Sequence, residues 1–231
     1  MKLAENHISC ANCPIRSQLF NSLTESELAF INEFRAEVHY DRGEVLVMQG
    51  KPISEFFYLK SGLIKMHIQS KSGRERIVSI ARPLDFIGLL SVFSSTHYPF
   101  SITAIEPTSA CLIELEAMKK IIRRNGAFAL ELLELHSRSS QNVLQSTYDI
   151  DDKNLRGRIA YILLWFARRI YFSNTFELPI SRKEIGELIN MTTENVIRIL
   201  SEYRKEGTIE IDGKTIRILN PTQLETICRW G

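Results

Sequence analysis

Apolar and polar positions along the chain follow three successive rhythms. From about residue 35 to 115, short apolar runs recur: Val45-Leu46-Val47, Phe56-Phe57-Tyr58-Leu59, Leu63 to Ile68, Ile77 to Ile80, Ser101 to Ile105 and Ala110 to Leu115. They are broken at Asp41-Arg42-Gly43, Gly50-Lys51-Pro52, Ser61-Gly62, Ser72-Gly73, Arg82-Pro83 and Gly88. Short strands separated by such turns predict a sandwich, barrel or roll. Leu63, Lys65 and His67 alternate with Ile64, Met66 and Ile68 without a clean polar face, so both faces are expected to be partly covered. From Glu116 to about Ile150 the β pattern stops. Ala129, Leu132, His136, Ser139, Val143, Ser146 and Ile150 step by threes and fours, the spacing of a helix packed on a helix. The same stripe fits a helix lying on its own β domain, and periodicity alone does not choose.

The third rhythm begins after Asp149-Ile150-Asp151-Asp152. Ile159, Ile162, Leu163, Phe166 and Ile170 share one helical face, followed by a loop at Phe172-Ser173-Asn174 and a short extended Leu178-Pro179-Ile180. Ser181 and Glu184 form a capping-box pattern before a helix whose core face is Ile185, Leu188 and Ile189. Asn190-Met191 makes a tight turn, where asparagine tolerates the left-handed conformation. Thr192 caps a second helix with Val196, Ile199, Leu200 and Tyr203 facing inward. Its start, with Thr193, Glu194, Asn195, Ile197 and Arg198, is expected to be exposed. Gly207 ends it. Ile209 to Ile211 and Thr215 to Ile218 flank Asp212-Gly213, a hairpin with a two-residue turn. Two short helices, a tight turn and a hairpin predict a winged helix-turn-helix. In that geometry the second helix enters the major groove with its first residues at base edges.

Composition narrows the classes. The chain has 231 residues, which allows one large domain or two modest ones, and its 44% hydrophobic and 24% charged content excludes a disordered chain. No apolar run approaches the ~18 residues of a membrane span. Met1 to His7 carries no apolar signal core, so a cytoplasmic location is expected. The net charge of +2 implies no nucleic-acid partner by itself, but it is unevenly spread. Residues 1–152 hold 16 Lys/Arg against 18 Asp/Glu, and residues 153–231 hold 13 against 9. The basic excess falls on the helix-turn-helix, as a phosphate-facing module requires.

Within that module Arg198 can donate two hydrogen bonds to guanine O6 and N7, and Glu194 can accept from cytosine N4. Four residues apart, they share a face; alone they read as an ordinary surface ion pair, and in this setting as base readout. Ile197 beside them suits a thymine methyl. Glu194, Arg198, Thr193 and Ile197 are therefore the candidate base-reading residues, and Ser181, Arg182 and Thr192 the candidate phosphate contacts.

The four cysteines are too few for a disulfide scaffold. Cys10-Ala-Asn-Cys13 lacks the second pair that a zinc site needs and lies too near the N-terminus for a thioredoxin-like motif. No catalytic base, phosphate loop or cofactor fingerprint accompanies it, so an enzyme is not expected. Cys111, in an expected strand, suits a small core hydrophobe. Cys228 carries no evident role.

Over nearly its whole length the chain resembles the CRP/FNR family of bacterial transcription regulators. The likeness is carried by Phe57 to Lys65, Asp85-Phe86-Ile87-Gly88, Gly157-Arg158-Ile159-Ala160, Ile180 to Gly186 and Glu194 to Leu200. The resemblance implies an α+β fold: an N-terminal jelly-roll, cyclic-nucleotide-binding-like β domain, a long dimerisation helix and a C-terminal winged helix-turn-helix. The expected divisions are 1–20 for the CxxC segment, 21–125 for the sensor roll, 126–152 for the helix and 153–231 for the DNA-binding domain. It also implies a homodimer on inverted-repeat double-stranded DNA with half-sites about one helical turn apart. Glu194 and Arg198 fall on the family's base-reading pair, and RNA polymerase is an implied partner if the protein activates. The alternative is a small-molecule or redox-sensing module whose main partner is a protein.

The family's cyclic-AMP branch holds the phosphate with a Gly-Glu and an Arg-Ser pair. Here Gly88 precedes Leu89 and Leu90, and the second region reads Tyr98-Pro99-Phe100-Ser101. Two hydroxyl residues that meet the adenine become Val143 and Leu144. Gly88, Leu89, Phe100, Ser101, Val143 and Leu144 thus mark the ligand-pocket positions. Burying a phosphate there without a cation is costly, so cyclic AMP is not expected by that mode. The FNR branch binds a [4Fe-4S] cluster through three N-terminal cysteines and one in the roll. Cys10, Cys13 and Cys111 match three of them, but the remaining position is Leu19, which cannot ligate iron. A degenerate site, a cluster with a non-cysteine ligand or a thiol-based switch remain open. For a haem, as in other members, the conceivable ligands are His67, His97 and His136.

Overall fold

The computed structural model describes residues 2–3, 9–14, 18–70, 73 and 75–231. Most of the Met1 to His7 stretch, and Ser72 of the expected Ser72-Gly73 turn, lie outside them. The chain forms two compact units, Met1–Gln69 with Val78–Asn142, and Ser70–Ile77 with Val143–Gly231.

The first unit contains β1 (Lys2–Leu3), α1 (Glu25–Glu33), β2 (Arg35–Tyr40), β3 (Val45–Val47), β4 (Glu55–Ser61), β5 (Ile64–Gln69), the part of β6 (Glu75–Ala81) from Val78 onward, and β7 (Phe86–Ile87). The one-turn α2 (Leu89–Val92), β8 (Ser101–Ala104), β9 (Thr108–Glu114) and α3 (Leu115–Arg124) follow, and then α4 (Gly126–Asp151) begins. The strands make a five-stranded sheet, β1-β2-β9-β4-β7, and a four-stranded sheet, β3-β8-β5-β6. Every pairing with a described register is antiparallel, as in a roll built of two sheets.

Alternation along β4 explains the missing polar face. Phe57 and Leu59 join Val38, Ile64, Ile102 and Ala104 between the sheets, while Phe56 and Tyr58 join a second core with residues of α1, α3 and the start of α4. The five-stranded sheet is covered on both faces. Thr24 and Glu27 close a capping box that starts α1, which the sequence reading missed. It also missed β2, where Arg35 and Glu37 alternate with Ala36 and Val38. Glu37 is buried against Lys60 and lies 3.8 Å from Arg35. The paired charges let a strand with acidic and basic positions lie against a core.

The second unit takes the rest of α4 from Val143, then α5 (Leu155–Trp165), which widens over Phe166–Ile170, and β10 (Thr175–Glu177). There follow α6 (Arg182–Ile189), α7 (Thr193–Lys205), β11 (Ile209–Asp212), β12 (Thr215–Ile218) and α8 (Pro221–Trp230). Its sheet runs β10-β12-β11. Asp212 pairs with Thr215, so the two turn residues are Gly213 and Lys214, not Asp212 and Gly213 as expected. Gly213 supplies the positive φ, +57°, that such turns require at their first position.

The stripe from Ala129 to Ile150, read as a helix packed on a helix or on its own β domain, is partly covered within the single chain. On α4, Leu132 is buried, and Ala129, His136, Ser139, Val143, Ser146 and Ile150 are half-buried. The exposed apolar positions are instead Leu130, Leu133, Leu144 and Tyr148. At about 100° per residue these four fall within an arc of roughly 60°, turned about 120° from the expected stripe.

Candidate nucleic-acid interface

The helix-turn-helix is built by local hydrogen bonds that the sequence encodes. Ser181 caps α6 in a capping box, its hydroxyl accepting from Glu184 N at 3.2 Å and donating to Glu184 Oε2 at 2.9 Å. Asn190 ends α6 at φ +55°, and Met191 N donates to Gly186 O at 2.9 Å. The chain turns so tightly here that a Cβ on Gly186 would lie 2.6 Å from Met191 O. Gly186→Ala is therefore expected to cost about 1–3 kcal/mol of stability by overpacking the turn, measured by urea unfolding of the full chain. Thr192 caps α7 by accepting from Asn195 N at 3.3 Å. Ile185, Ile189, Val196, Ile199, Leu200 and Tyr203 are buried, as the periodicity predicts. Arg158 of α5 donates to the carbonyls of Ile189 and Asn190 at 3.3 and 3.2 Å, satisfying the end of α6.

At the start of α7, Glu194, Ile197 and Arg198 are exposed as expected, Ile197 to 54%. Thr193 and Asn195 are half-buried rather than exposed. Glu194's carboxyl is held below the usual carboxylate range by its own backbone N–H and the Thr192 hydroxyl, which keeps it an ionised acceptor. Arg198 does not pair with Glu194. Its guanidinium donates to Glu202 Oε1 at 2.6 Å and to Asn195 Oδ1 at 3.3 Å. Of the expected phosphate contacts, the Ser181 and Thr192 hydroxyls are engaged as caps. Arg182, half-buried, donates to Gly213 O at 3.3 Å and ties α6 to the wing turn.

In the first unit Gly88 adopts φ +72°, and a Cβ there would sit 3.6 Å from the Phe100 and Tyr98 rings. Both rings are buried in the core between the sheets, and Ser101 accepts from Gln49 N at 3.0 Å. Leu89 turns into the other core, with Cys111, so the fold does not bring it together with Phe100. Val143 and Leu144 belong to the other unit.

Two of the cysteines, Cys10 and Cys111, share the core on the outer face of the five-stranded sheet. Cys10 packs on the core that includes Cys111, and its N–H donates to Asn32 Oδ1 at 3.2 Å. Burial pushes the Tyr58 phenol up, with Cys13 and Cys111 adding to the effect. Cys111 accepts from Arg35 Nη1 at 3.3 Å; burial raises its thiol while Arg35 and Lys60 pull it back down. The remaining FNR-like position, Leu19, is 6% exposed inside this core. Three thiols, one already bonded to a guanidinium, do not fit a cluster that takes four thiolates. Of the conceivable haem ligands, His67 bonds Thr103 Oγ1 at 2.9 Å, exposed His97 bonds Thr96 Oγ1 at 2.9 Å, and His136 is half-buried on α4.

A model of the cyclic nucleotide-binding domain matches residues 37–125, and a model of the Crp-like helix-turn-helix domain matches residues 157–227. Transcriptional activator protein FnrA of Stutzerimonas stutzeri is 30% identical over 183 residues, 78% of this chain and 75% of that protein. The chain belongs to the CRP/FNR family. The regulator is also similar to nitrogen fixation regulation protein FixK of Bradyrhizobium diazoefficiens, 27% identical over 229 residues, 94% of this chain and 93% of that one. Its fold matches the structure of FixK2 from Bradyrhizobium japonicum with a TM-score of 0.75 at 23% identity, over 84% of this chain and 96% of that one.

The α+β architecture read from the sequence therefore holds, with a cyclic-nucleotide-binding-like β domain, a long helix and a helix-turn-helix. The protein is a transcription regulator with a DNA-binding helix-turn-helix and not an enzyme. No helix among the described residues is long and apolar enough to cross a membrane.

Sequence reasoning missed the contacts between α5 and the helix-turn-helix, Arg156 with Glu202 and Glu206 and Arg158 with the end of α6. Glu202 had a visible signal, four residues beyond Arg198 on the same helical face. The arginines of α5 had none, since their partners in the helix-turn-helix lie more than 30 residues away in sequence.

Proposed function

We propose that the regulator acts as a homodimer on an inverted-repeat duplex, with Glu194, Arg198, Ile197 and Thr193 at base edges and Arg182, Ser181 and Thr192 near phosphates. The observation that carries this reading is the start of α7. It exposes an ionised acceptor, a guanidinium and an aliphatic side chain side by side on a rigidly capped helix. A solvated face has no use for Ile197, whereas a thymine methyl does. Pairing of two copies is supported by the exposed arc of Leu130, Leu133, Leu144 and Tyr148 on α4. A twofold pair would match two half-sites about one helical turn apart. If the regulator activates, as the name of its Stutzerimonas relative says of that protein, RNA polymerase is its further partner.

The sensor domain takes a signal other than cyclic AMP bound through a phosphate cradle. Tyr98 and Phe100 lie beside Gly88 in the core between the sheets, and buried aromatic rings there disfavour a buried phosphate. Millimolar cyclic AMP is thus expected to leave both the thermal midpoint and the DNA affinity unchanged.

The test is selection from a pool of duplexes with a random core of roughly two helical turns, followed by sedimentation of the bound species. The expected product is an inverted repeat bound by two chains, with affinity that falls steeply as salt rises. Enrichment of no sequence, or one chain per duplex, would overturn the reading.

A further inference from the structure

Arg198 is not an isolated surface arginine. Glu202, one turn further along α7, gives Oε1 to Arg198 Nη1 at 2.6 Å and Oε2 to Arg156 Nη1 at 3.1 Å. Arg156, at the start of α5, is itself fixed. It donates to both carboxylate oxygens of Glu206, at 2.9 and 2.7 Å, and its guanidinium lies over the Tyr203 ring at 4.8 Å. The Tyr203 ring is fully buried, and its hydroxyl donates to Arg156 O at 2.7 Å. A chain of contacts thus runs from the buried core through Arg156 and Glu202 to Arg198, and Asn195 steadies the second guanidinium nitrogen.

We propose that Glu202 is a positioning residue for base readout, holding Arg198 from the anchored Arg156 in the conformation that meets a guanine. This rests on the reading of Arg198 as a base-contacting residue. An exposed pair four residues apart holds its side chains loosely, since two flexible chains share one weak contact. Glu202 differs because its second oxygen is tied to a guanidinium that Glu206 and the Tyr203 ring also hold. A guanidinium with fixed direction gives up less rotamer freedom when it forms a bidentate contact. The same carboxylate adds negative charge to the DNA-facing side of the unit, which weakens attraction to any phosphate backbone. Glu202 therefore favours discrimination over general affinity, and the two are expected to move in opposite directions when it is removed.

The experiment uses full-length wild type, Glu202→Ala, Glu202→Gln and Arg198→Ala/Glu202→Ala. The probes are the duplex that the wild type enriches from the random pool, the same duplex with the half-site guanines changed to adenine, and an unrelated duplex. Glu202→Ala is expected to lower discrimination between the first two by roughly 5- to 10-fold, and to raise affinity for the unrelated duplex by about threefold. Its melting temperature stays near that of wild type. Glu202→Gln, which keeps one acceptor oxygen, recovers part of the discrimination. With Arg198 already removed, Glu202→Ala has no further effect on discrimination but still raises general affinity. Wild-type discrimination in Glu202→Ala would overturn the proposal alone. So would a joint loss of discrimination, general affinity and melting temperature, which marks a merely structural residue. A wild type that enriches no sequence would overturn base readout itself, and this proposal with it.

Discussion

Leu133→Glu combined with Leu144→Glu is expected to give a folded, monomeric regulator whose affinity for its inverted repeat is roughly 10²- to 10⁴-fold weaker than that of wild type. The two side chains are 60% and 72% exposed, so each substitution replaces a solvated leucine with a solvated glutamate and costs the fold little. They lie eleven residues apart on α4, about three turns, and so face the same way. If two copies pair along this face, four carboxylates would come together where apolar side chains met, and burying them unpaired is prohibitive. The DNA effect follows from linkage. Once one half of a dimer is bound, the other half sees its half-site at an effective concentration far above that in solution, and a monomer loses this gain. Sedimentation and duplex titration together check the outcome. A double variant that still sediments as a dimer would show that α4 is not the pairing face. A monomer with undiminished affinity would show that pairing is not needed for binding.

That face was not legible in the sequence. The pattern along α4 contains two stripes, and the one with regular three- and four-residue steps from Ala129 to Ile150 was the more conspicuous. Periodicity says which residues share a side of a helix but not which side the chain itself covers. The β domain was legible where glycines and prolines punctuate the strands. It was illegible at β2, where a buried Glu37–Lys60 pair disguises a core strand as a polar segment. It was illegible again at β7, two residues long. The winged helix-turn-helix was read almost residue by residue, because capping boxes, the left-handed asparagine and the hairpin glycine are local devices. Two elements escaped there: β10, which lies at Thr175–Glu177 rather than at Leu178-Pro179-Ile180, and α8, although Asn220 and Pro221 are an ordinary helix start. Of the site, the identity and exposure of Glu194, Ile197 and Arg198 were legible. Their partners were not, since the choice of Glu202 over Glu194 depends on an arginine brought in by α5.

Arg198→Ala is expected to remove guanine selectivity at both half-sites, costing about 1–3 kcal/mol at each and therefore roughly 2–6 kcal/mol for the dimer. The guanidinium is the only group at the exposed start of α7 that can donate two parallel hydrogen bonds, and alanine restores neither. Arg198→Lys should rescue little, because an ammonium is a point charge without the planar fork. Stability should barely change, since the ion pair lost with Glu202 is largely exposed. Selection from the random pool distinguishes this from a general electrostatic loss. The variant should enrich the same inverted repeat with one symmetric pair of positions now degenerate, while the dependence of affinity on salt is nearly preserved. Arg182→Ala, if that residue reaches a phosphate, should instead weaken all duplexes alike and flatten the salt dependence. An Arg198→Ala variant that keeps every sequence preference and merely binds more weakly would place Arg198 on the backbone and leave base reading to Glu194 and Ile197.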